Sequence, residues 1–354
     1  MSSAVLITGG AGFIGTNLAH RLLDEGRDVI VYDNLSRPGV EENLRWLREV
    51  HGEKVCAEIA DINDKAALSR ALHHVEQVYH FAAQVAVTTS LSDPLHDFRV
   101  NAQGTLTLLE ALRAMKRPPS LVFTSTNKVY GGLDDLPLAT AATRYEVAQD
   151  SAYVHGVDER RPLDFHSPYG CSKGAADQYV RDYARSYGLK TVVFRMSCIY
   201  GPHQFGTEDQ GWVAHFVKSA LAGVPITLYG DGMQVRDVLF VEDLVDALRI
   251  AGKHAAALAG QAFNIGGSLN NAVSLIELID LIGALHGAKP VVRFDAWRVG
   301  DQRYYISDIR KFKAATGWTP RTPPREGVRQ LYEWLGAARQ PTDHAIPAQG
   351  SAVK

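Results

Sequence analysis

Residues 4–33 read AVLITGGAGFIGTNLAHRLLDEGRDVIVYD, and this stretch decides the fold. AVLIT (4–8) and DVIVYD (28–33) are short β-branched runs, and FIGTNLAHRLLDEG between them has helical spacing closed by a glycine. Gly9, Gly12 and Gly15 stand three apart, directly after the first strand and opening the helix. Glycines there allow a tight turn, close backbone approach to a pyrophosphate and tight helix–strand packing, while the helix N-terminus turns free N–H groups toward phosphates. Asp33 ends the second strand 18 residues after the last of these glycines. A carboxylate at that place accepts hydrogen bonds from the adenosine ribose hydroxyls and repels a 2′-phosphate, so the expected cofactor is NAD. Arg37 is the nearby cation and lies in a loop.

Working outward, KVCAEI, EQVYHFA, SLVFTS and KTVVFRM are further apolar strands separated by helical patterns such as 98–115. This alternation predicts an α/β fold, a doubly wound Rossmann parallel sheet covered on both faces. Beyond about residue 200 the pattern loosens. ITLYG, QVRDVLFV and AFNIGG mix with helical stretches at 212–222, 242–258 and 273–286, predicting a smaller C-terminal α+β substrate lobe. We therefore expect an NAD-binding domain over 1–200, with 239–268 returning to it. Residues 201–238 and 269–337 would form the second lobe, and 338–354 a disordered tail. Asp61-Ile62, after the third strand, are placed to meet the adenine.

At 354 residues, 46% hydrophobic and 21% charged, the chain has the composition of an ordinary globular protein with ample core. A net charge of −2 gives no footprint for nucleic acid. Three scattered cysteines fit a reducing compartment, and the absence of an N-terminal apolar run predicts a cytoplasmic location. The 13 histidines show no ligand spacing, so no metal site is expected, and His73-His74 reads as helix surface.

Tyr169 and Lys173, in SPYGCSKGAADQYV, are four apart on one helix face with Pro168 ahead of them. An ammonium one turn away, with a nicotinamide cation, would lower the phenol's pKa and make it a usable base. With these residues the chain resembles the extended short-chain dehydrogenase/reductases, the NAD-dependent epimerase/dehydratase family. The resemblance rests on TGGAGFIG, Asp33, HFAAQ (80–84), VNAQGT (100–105), STNKVYG (125–131) and YGCSK, and runs over residues 4–335. It implies a catalytic set of Thr126, Tyr169 and Lys173, with Ser125 as the alternative to Thr126. It implies cofactor contacts from Gly9, Gly12, Phe13, Ile14, Gly15, Asp33, Asn34, Asp61, Ile62, Ala82, Gln84 and Asn101, as well as from Tyr169 and Lys173. Asn101 matches the family's asparagine that supports the lysine through a helix distortion and water. The resemblance makes the second lobe the nucleotide-sugar-binding one: GDGMQVRDVLFVEDL (230–244) and RVGDQR (298–303) resemble family segments, which implies that Arg236, Arg298 and Asp301 grip a nucleotide diphosphate, with Thr126 and Asn127 also on the substrate side.

The family's 4,6-dehydratases carry Asp-Glu directly after the catalytic Thr, as general acid and base for water loss. Here Asn127 and Lys128 stand in those places. An amide does not exchange protons at neutral pH, so dehydration is disfavoured and epimerisation through transient oxidation remains. GPHQFGTEDQGWVAHF (201–216) with DFHSPYGCSKGAADQYV and RMSCIYG resembles the CDP-tyvelose 2-epimerase branch, implying a CDP-hexose substrate. A UDP-sugar or uronate 4-epimerase is the alternative, and a non-catalytic NAD sensor the remote one. Segment 132–167 is too long for an ordinary connection and reads as a functional loop, over the active site or at a subunit contact. The family resemblance also implies a homodimer through the helix of 169–187 and the helix of 98–115, with Tyr179, Tyr183 and Leu108 in the interface.

Overall fold

The computed structural model describes residues 4–298 and 300–337. The expected 338–354 tail lies outside them. The N-terminal strands are β1 (Ala4–Thr8), β2 (Val29–Asp33), β3 (Val55–Ile59), β4 (Val75–His80) and β5 (Ser120–Thr126). A hairpin, β6 (Leu138–Thr140) and β7 (Tyr145–Val147), is followed by β8 (Thr191–Met196), β9 (Cys198–Tyr200), β10 (Ile226–Tyr229) and β11 (Val235–Phe240). The last strands are β12 (Gln261–Ile265), β13 (Ala272–Ser274), β14 (Val292–Asp295) and β15 (Tyr304–Tyr305).

Seven strands form a parallel sheet in the order β12-β8-β5-β4-β1-β2-β3. Their Val, Ile and Phe runs are buried on both sides, as a doubly covered sheet requires. One face carries α1 (Phe13–Asp24) and α2 (Val40–His51). On the other lie α3 (Lys65–Ala71) and, past the short α4 (Val87–Ser92) and α5 (Pro94–Phe98), α6 (Gly104–Arg113) and α7 (Ser167–Tyr187). The chain moves from β1 outward to β2 and β3, then returns to β4 on the opposite side of β1. This reversal opens a crevice at the carboxyl ends of β1 and β4, where such sheets bind ligands.

The second lobe packs α8 (Trp212–Ala222) against β10 and β11. After α9 (Val241–Lys253), which returns to the first face of the main sheet, α10 (Leu275–His286) joins the lobe. The lobe ends with α12 (Pro324–Ala337), after α11 (Arg310–Thr316) has packed back on the main-sheet core. β10 pairs β14, and β11 pairs β9, β13 and β15. AFNIGG, within the 239–268 stretch expected to return to the first domain, supplies β12, which extends the main sheet beside β8.

The helical stretch expected over 98–115 is broken around Asn101, where the family resemblance implies a distortion. Between α5 and α6, Arg99–Gln103 form a π turn, which takes one extra residue per turn and redirects a side chain. His73 and His74 lie in a turn after α3 rather than on a helix, with His74 at φ +60°. Leu108 is fully buried within the chain and Tyr183 is nearly so, donating to Glu110, so neither can form an interface as expected. The exposed apolar side chains of this region are Leu91, Leu95, Phe98, Tyr179 and Tyr187. Segment 132–167 is an ordered strap, not a lid. Leu133, Leu136, Tyr145 and Val157 pack with Val235, Tyr304 and Tyr305, and Arg144 pairs with Glu277 on α10. None of its residues lines the cavity described next.

Candidate active site

The β1–α1 turn is built for an approaching anion. Gly9 has φ +68°, and a Cβ on it would stand 2.7 Å from the Ala82 backbone nitrogen. A Cβ on Gly15 would stand 2.3 Å from the Gly9 carbonyl oxygen. Gly12 caps α1 without any side-chain partner for the first helical N–H groups, which stay available for phosphate. Asp33, at the carboxyl end of β2, accepts from the Ala11 and Leu35 backbone N–H groups at 3.1 and 2.9 Å. Burial raises its pKa against these donors and Arg37. Beyond β3, Asp61 accepts from Asn34, which follows β2, at 2.9 Å, and Ile62 is buried under Gly104. At the end of β4, Gln84 folds its amide onto Ala86. This cradle fits an adenine dinucleotide.

Asn101 sits in the π turn, where its amide donates to the Gln84 carbonyl, to Asp97 and to Ser172 at 3.0–3.1 Å. It also accepts from the Gln84 N–H at 3.0 Å. It is enclosed, and it ties the loop after β4 to α7 rather than facing the cavity. A second tie was not visible in sequence: Arg195 on β8 pairs bidentately with Asp177 on α7 at 2.8 and 2.9 Å, both fully buried. Together they fix the rotation of α7, and with it Tyr169 and Lys173.

Tyr169 and Thr126 line a cavity of about 380 Å³ that runs from Phe13 and Ile14 to the second lobe. Burial pushes the Tyr169 phenol up to about 12, while a hydrogen bond with Thr126 pulls the other way. Lys173 donates from Nζ to the Thr124 carbonyl at 2.6 Å, over the Phe123 ring. Burial lowers it to about 7, against Asp177 and Asp97. The expected depression of the tyrosine by the lysine is therefore absent from the protein alone, because the ammonium faces the β5 backbone and desolvation dominates. His80, unassigned by sequence, is buried between Thr8 and Thr105 at 2.6 and 3.0 Å. Burial, with Lys173 adding, holds it near 3 and hence neutral.

Thr126 accepts the Lys128 N–H at 3.2 Å and donates to Asn127 at 3.3 Å. The Asn127 amide is in turn bound to Gln302 at 3.1 Å, and Gln302 donates to the Gly131 carbonyl at 2.7 Å. Asn127 thus locks the turn after β5 to the second lobe. Ser125 also lines the cavity, with a buried hydroxyl that lacks a partner. Across the cavity, Arg236 binds Asp301 at 2.7 Å, and Arg298 stacks on Tyr229 with its carbon 3.9 Å from the ring centre. Burial works to raise Asp301, but Arg236 and Lys128 hold it below the usual carboxylate range. Away from the cavity, His20, Asp24 and His51 meet on α1 and α2, with His20 and His51 hydrogen-bonded at 2.8 Å.

Residues 5–266 match the NAD dependent epimerase/dehydratase family. The chain is 44% identical to the CDP-paratose 2-epimerase of Salmonella typhi, over 94% of this chain and 99% of the relative. It is 32% identical to dTDP-glucose 4,6-dehydratase 1 of Escherichia coli, over 93% of this chain and 92% of that one. Its structure resembles the UDP-glucose 4-epimerase of Thermus thermophilus in complex with NAD. There the TM-score is 0.79 and the identity 33%, covering 95% of this chain and 99% of the other. The glycine cradle, the Tyr169–Lys173 helix and these similarities lead to one conclusion: the chain belongs to the NAD dependent epimerase/dehydratase family.

Proposed function

We propose that the protein is an NAD-dependent nucleotide-sugar 2-epimerase that interconverts CDP-paratose and CDP-tyvelose. The carrying observation is the turn after Thr126. It offers an amide spent on Gln302 and an ammonium where water elimination would need a carboxylic acid and a carboxylate. What the site retains is a single proton relay, which suffices for alcohol-to-ketone oxidation and its reversal. The choice of C2 and of a CDP-sugar is supported by the similarity to the Salmonella typhi 2-epimerase.

In this reading Gly9, Gly12, Gly15 and Asp33 hold NAD, which when bound supplies a hydride acceptor at C2, its return, and a positive ring that favours phenolate. Tyr169 takes the proton from the C2 hydroxyl, with Thr126 holding that oxygen, and later gives it back. Lys173, held on the Thr124 carbonyl one helical turn from Tyr169, would offset the charge of the phenolate. Arg236 and Arg298 hold the nucleotide diphosphate, so the keto sugar turns over without escaping and is reduced on its other face. Residues 1–200 and 239–268 serve the cofactor, and 201–238 with 269–337 the substrate.

We assign a cytoplasmic location, supported by three free cysteines. Among the described residues, no helix is long and apolar enough to cross a membrane. We also assign a homodimer formed by α4, α5 and α7 around Leu91, Leu95, Phe98 and Tyr179, which are 45–65% exposed. The rival reading is a 4-epimerase of UDP-sugars, supported by the similarity to the Thermus thermophilus enzyme. NMR of CDP-paratose, CDP-glucose and UDP-glucose incubated separately decides between them. The proposal expects inversion at C2 of the CDP-sugar, and inversion at C4 of UDP-glucose would replace it.

A further inference from the structure

Lys128 follows Thr126 by two residues, in the single turn Asn127–Tyr130. Its N–H is bound by Thr126, and its carbonyl accepts from Gly131 at 3.3 Å. Val129 and Tyr130 are fully buried on the far side of the turn. The backbone is therefore fixed, and the lysine side chain enters the cavity wall, with 22% of it exposed. There Nζ donates to the Gly300 carbonyl at 3.0 Å. A neutral carbonyl takes one of three N–H groups and none of the charge.

The other cations of the cavity are already balanced. Arg236 holds Asp301 at 2.7 Å. Arg298 has the carboxylates of Asp209 at 3.4 Å and Glu208 at 3.7 Å. Lys128 reaches only Asp301, at 3.9 Å, beyond the distance at which Arg236 already holds it. Its ammonium is thus the least compensated positive charge on the wall, between the Thr126 end and the Arg236 end. A sugar nucleotide presents two phosphate charges, while Arg236 and Arg298 each reach them already paired to carboxylates. Burial, then Arg236, lowers Lys128 to about 8 against Asp301 and Cys198, so an anion beside it would favour its charged form.

We propose that Lys128 is a diphosphate-binding residue, placing its ammonium on the substrate's sugar-side phosphate beside Arg236. This rests on the nucleotide-sugar reading above. The turn after β5 then serves the substrate twice, through Thr126 at the sugar and through Lys128 at the phosphate. Where a dehydratase-like site would present a carboxylate to the sugar, this chain grips the phosphate. A contact made to phosphate and not to the sugar leaves the ring free to turn between the two hydride steps. The same charge would repel a positively charged ligand and be indifferent to a nucleoside.

The test is calorimetric titration of the NAD-loaded enzyme with CDP, UDP and cytidine, comparing wild type with Lys128→Met and Lys128→Arg. Lys128→Met is expected to weaken binding of the preferred diphosphate roughly ten- to hundredfold, as loss of a charge-assisted contact does. Cytidine binding, NAD content and thermal stability should stay unchanged, and Lys128→Arg should recover most of the affinity. A Lys128→Met enzyme that binds the diphosphate like wild type overturns the proposal. So does a variant that weakens cytidine equally, since that loss would be structural. Wild-type enzyme that binds neither CDP nor UDP overturns the nucleotide reading itself, and the proposal with it.

Discussion

Replacing Gly15 by alanine forces a methyl group into the backbone of the cofactor turn. The new Cβ would lie 2.3 Å from the Gly9 carbonyl oxygen, 2.6 Å from Gly10 Cα and 2.9 Å from the Gly10 carbonyl carbon. Comfortable contacts are about 3.5–4.0 Å, so α1 and the turn must separate by roughly 1 Å. No flexible side chain is available to yield. Overpacking of this kind costs about 1–3 kcal/mol. Because the strain falls on the loop that would receive the pyrophosphate, it should appear as a loss of NAD affinity of about 5- to 150-fold. Gly12→Ala strains the protein less, since its Cβ would meet only the Gly9 oxygen, at 3.1 Å, so any loss of NAD there reports the space the pyrophosphate needs rather than internal strain. The assay is NAD released per chain on denaturation, followed by titration of the stripped protein. If Gly15→Ala carried the wild-type amount of NAD with an unchanged dissociation constant, the cradle assigned to this turn would be wrong.

Tyr169→Phe should lower kcat by about 10²–10⁴ with NAD content unchanged, since the phenol carries the proton and the glycine turn carries the cofactor; more than a tenth of wild-type rate would remove Tyr169 from the base role. Sedimentation at micromolar concentration should show a dimer, and Leu95→Glu with Phe98→Glu should give a folded monomer, because both side chains are more than half exposed on the isolated chain. A monomeric wild type would defeat that assignment. His80 makes the fold acid-sensitive: its folded pKa is lowered to about 3, so between pH 6.5 and 3 the unfolded chain binds a proton that the folded one refuses, and stability falls as pH falls. The loss should reach about 2 kcal/mol at pH 5 relative to pH 7, read from urea midpoints, and His80→Gln should flatten this slope; an equal slope in the variant would exclude His80 as its source.

The parallel sheet and its glycine turn were legible because strand, turn and helix are consecutive, and a local pattern suffices to specify each. Tyr169 and Lys173 were legible for the same reason, being one helical turn apart. The features that fix them were not. Asp177 and Arg195 are joined only when α7 packs on β8, and Asn127 meets Gln302 across 175 residues. Nothing in their neighbourhoods marks these partners, since buried polar pairing is decided by tertiary position. Periodicity alone does not show the π turn, because apolar spacing over 98–115 suits a helix and one inserted residue barely alters that period; only the family resemblance implies a distortion at Asn101. The expectation of Leu108 in an interface rests on the family resemblance, which implies a dimer through this helix, and an apolar position does not say what covers it; α3, α7 and the sheet do. Lys128 could equally have been a surface lysine until its turn was seen anchored on Val129 and Tyr130.

The central claim is oxidation and re-reduction at one carbon, with Tyr169 as the only proton relay. CDP-paratose incubated with the enzyme in heavy water, without added cofactor, and followed by proton NMR tests it most directly. CDP-tyvelose should accumulate with C2 and C3 free of solvent deuterium after many turnovers, and substrate deuterated at C2 should keep its label in the product. Deuterium entering C2 or C3 from solvent would instead require an enediol route and a second base, which an amide at Asn127 and an ammonium at Lys128 do not supply, and the account would fail.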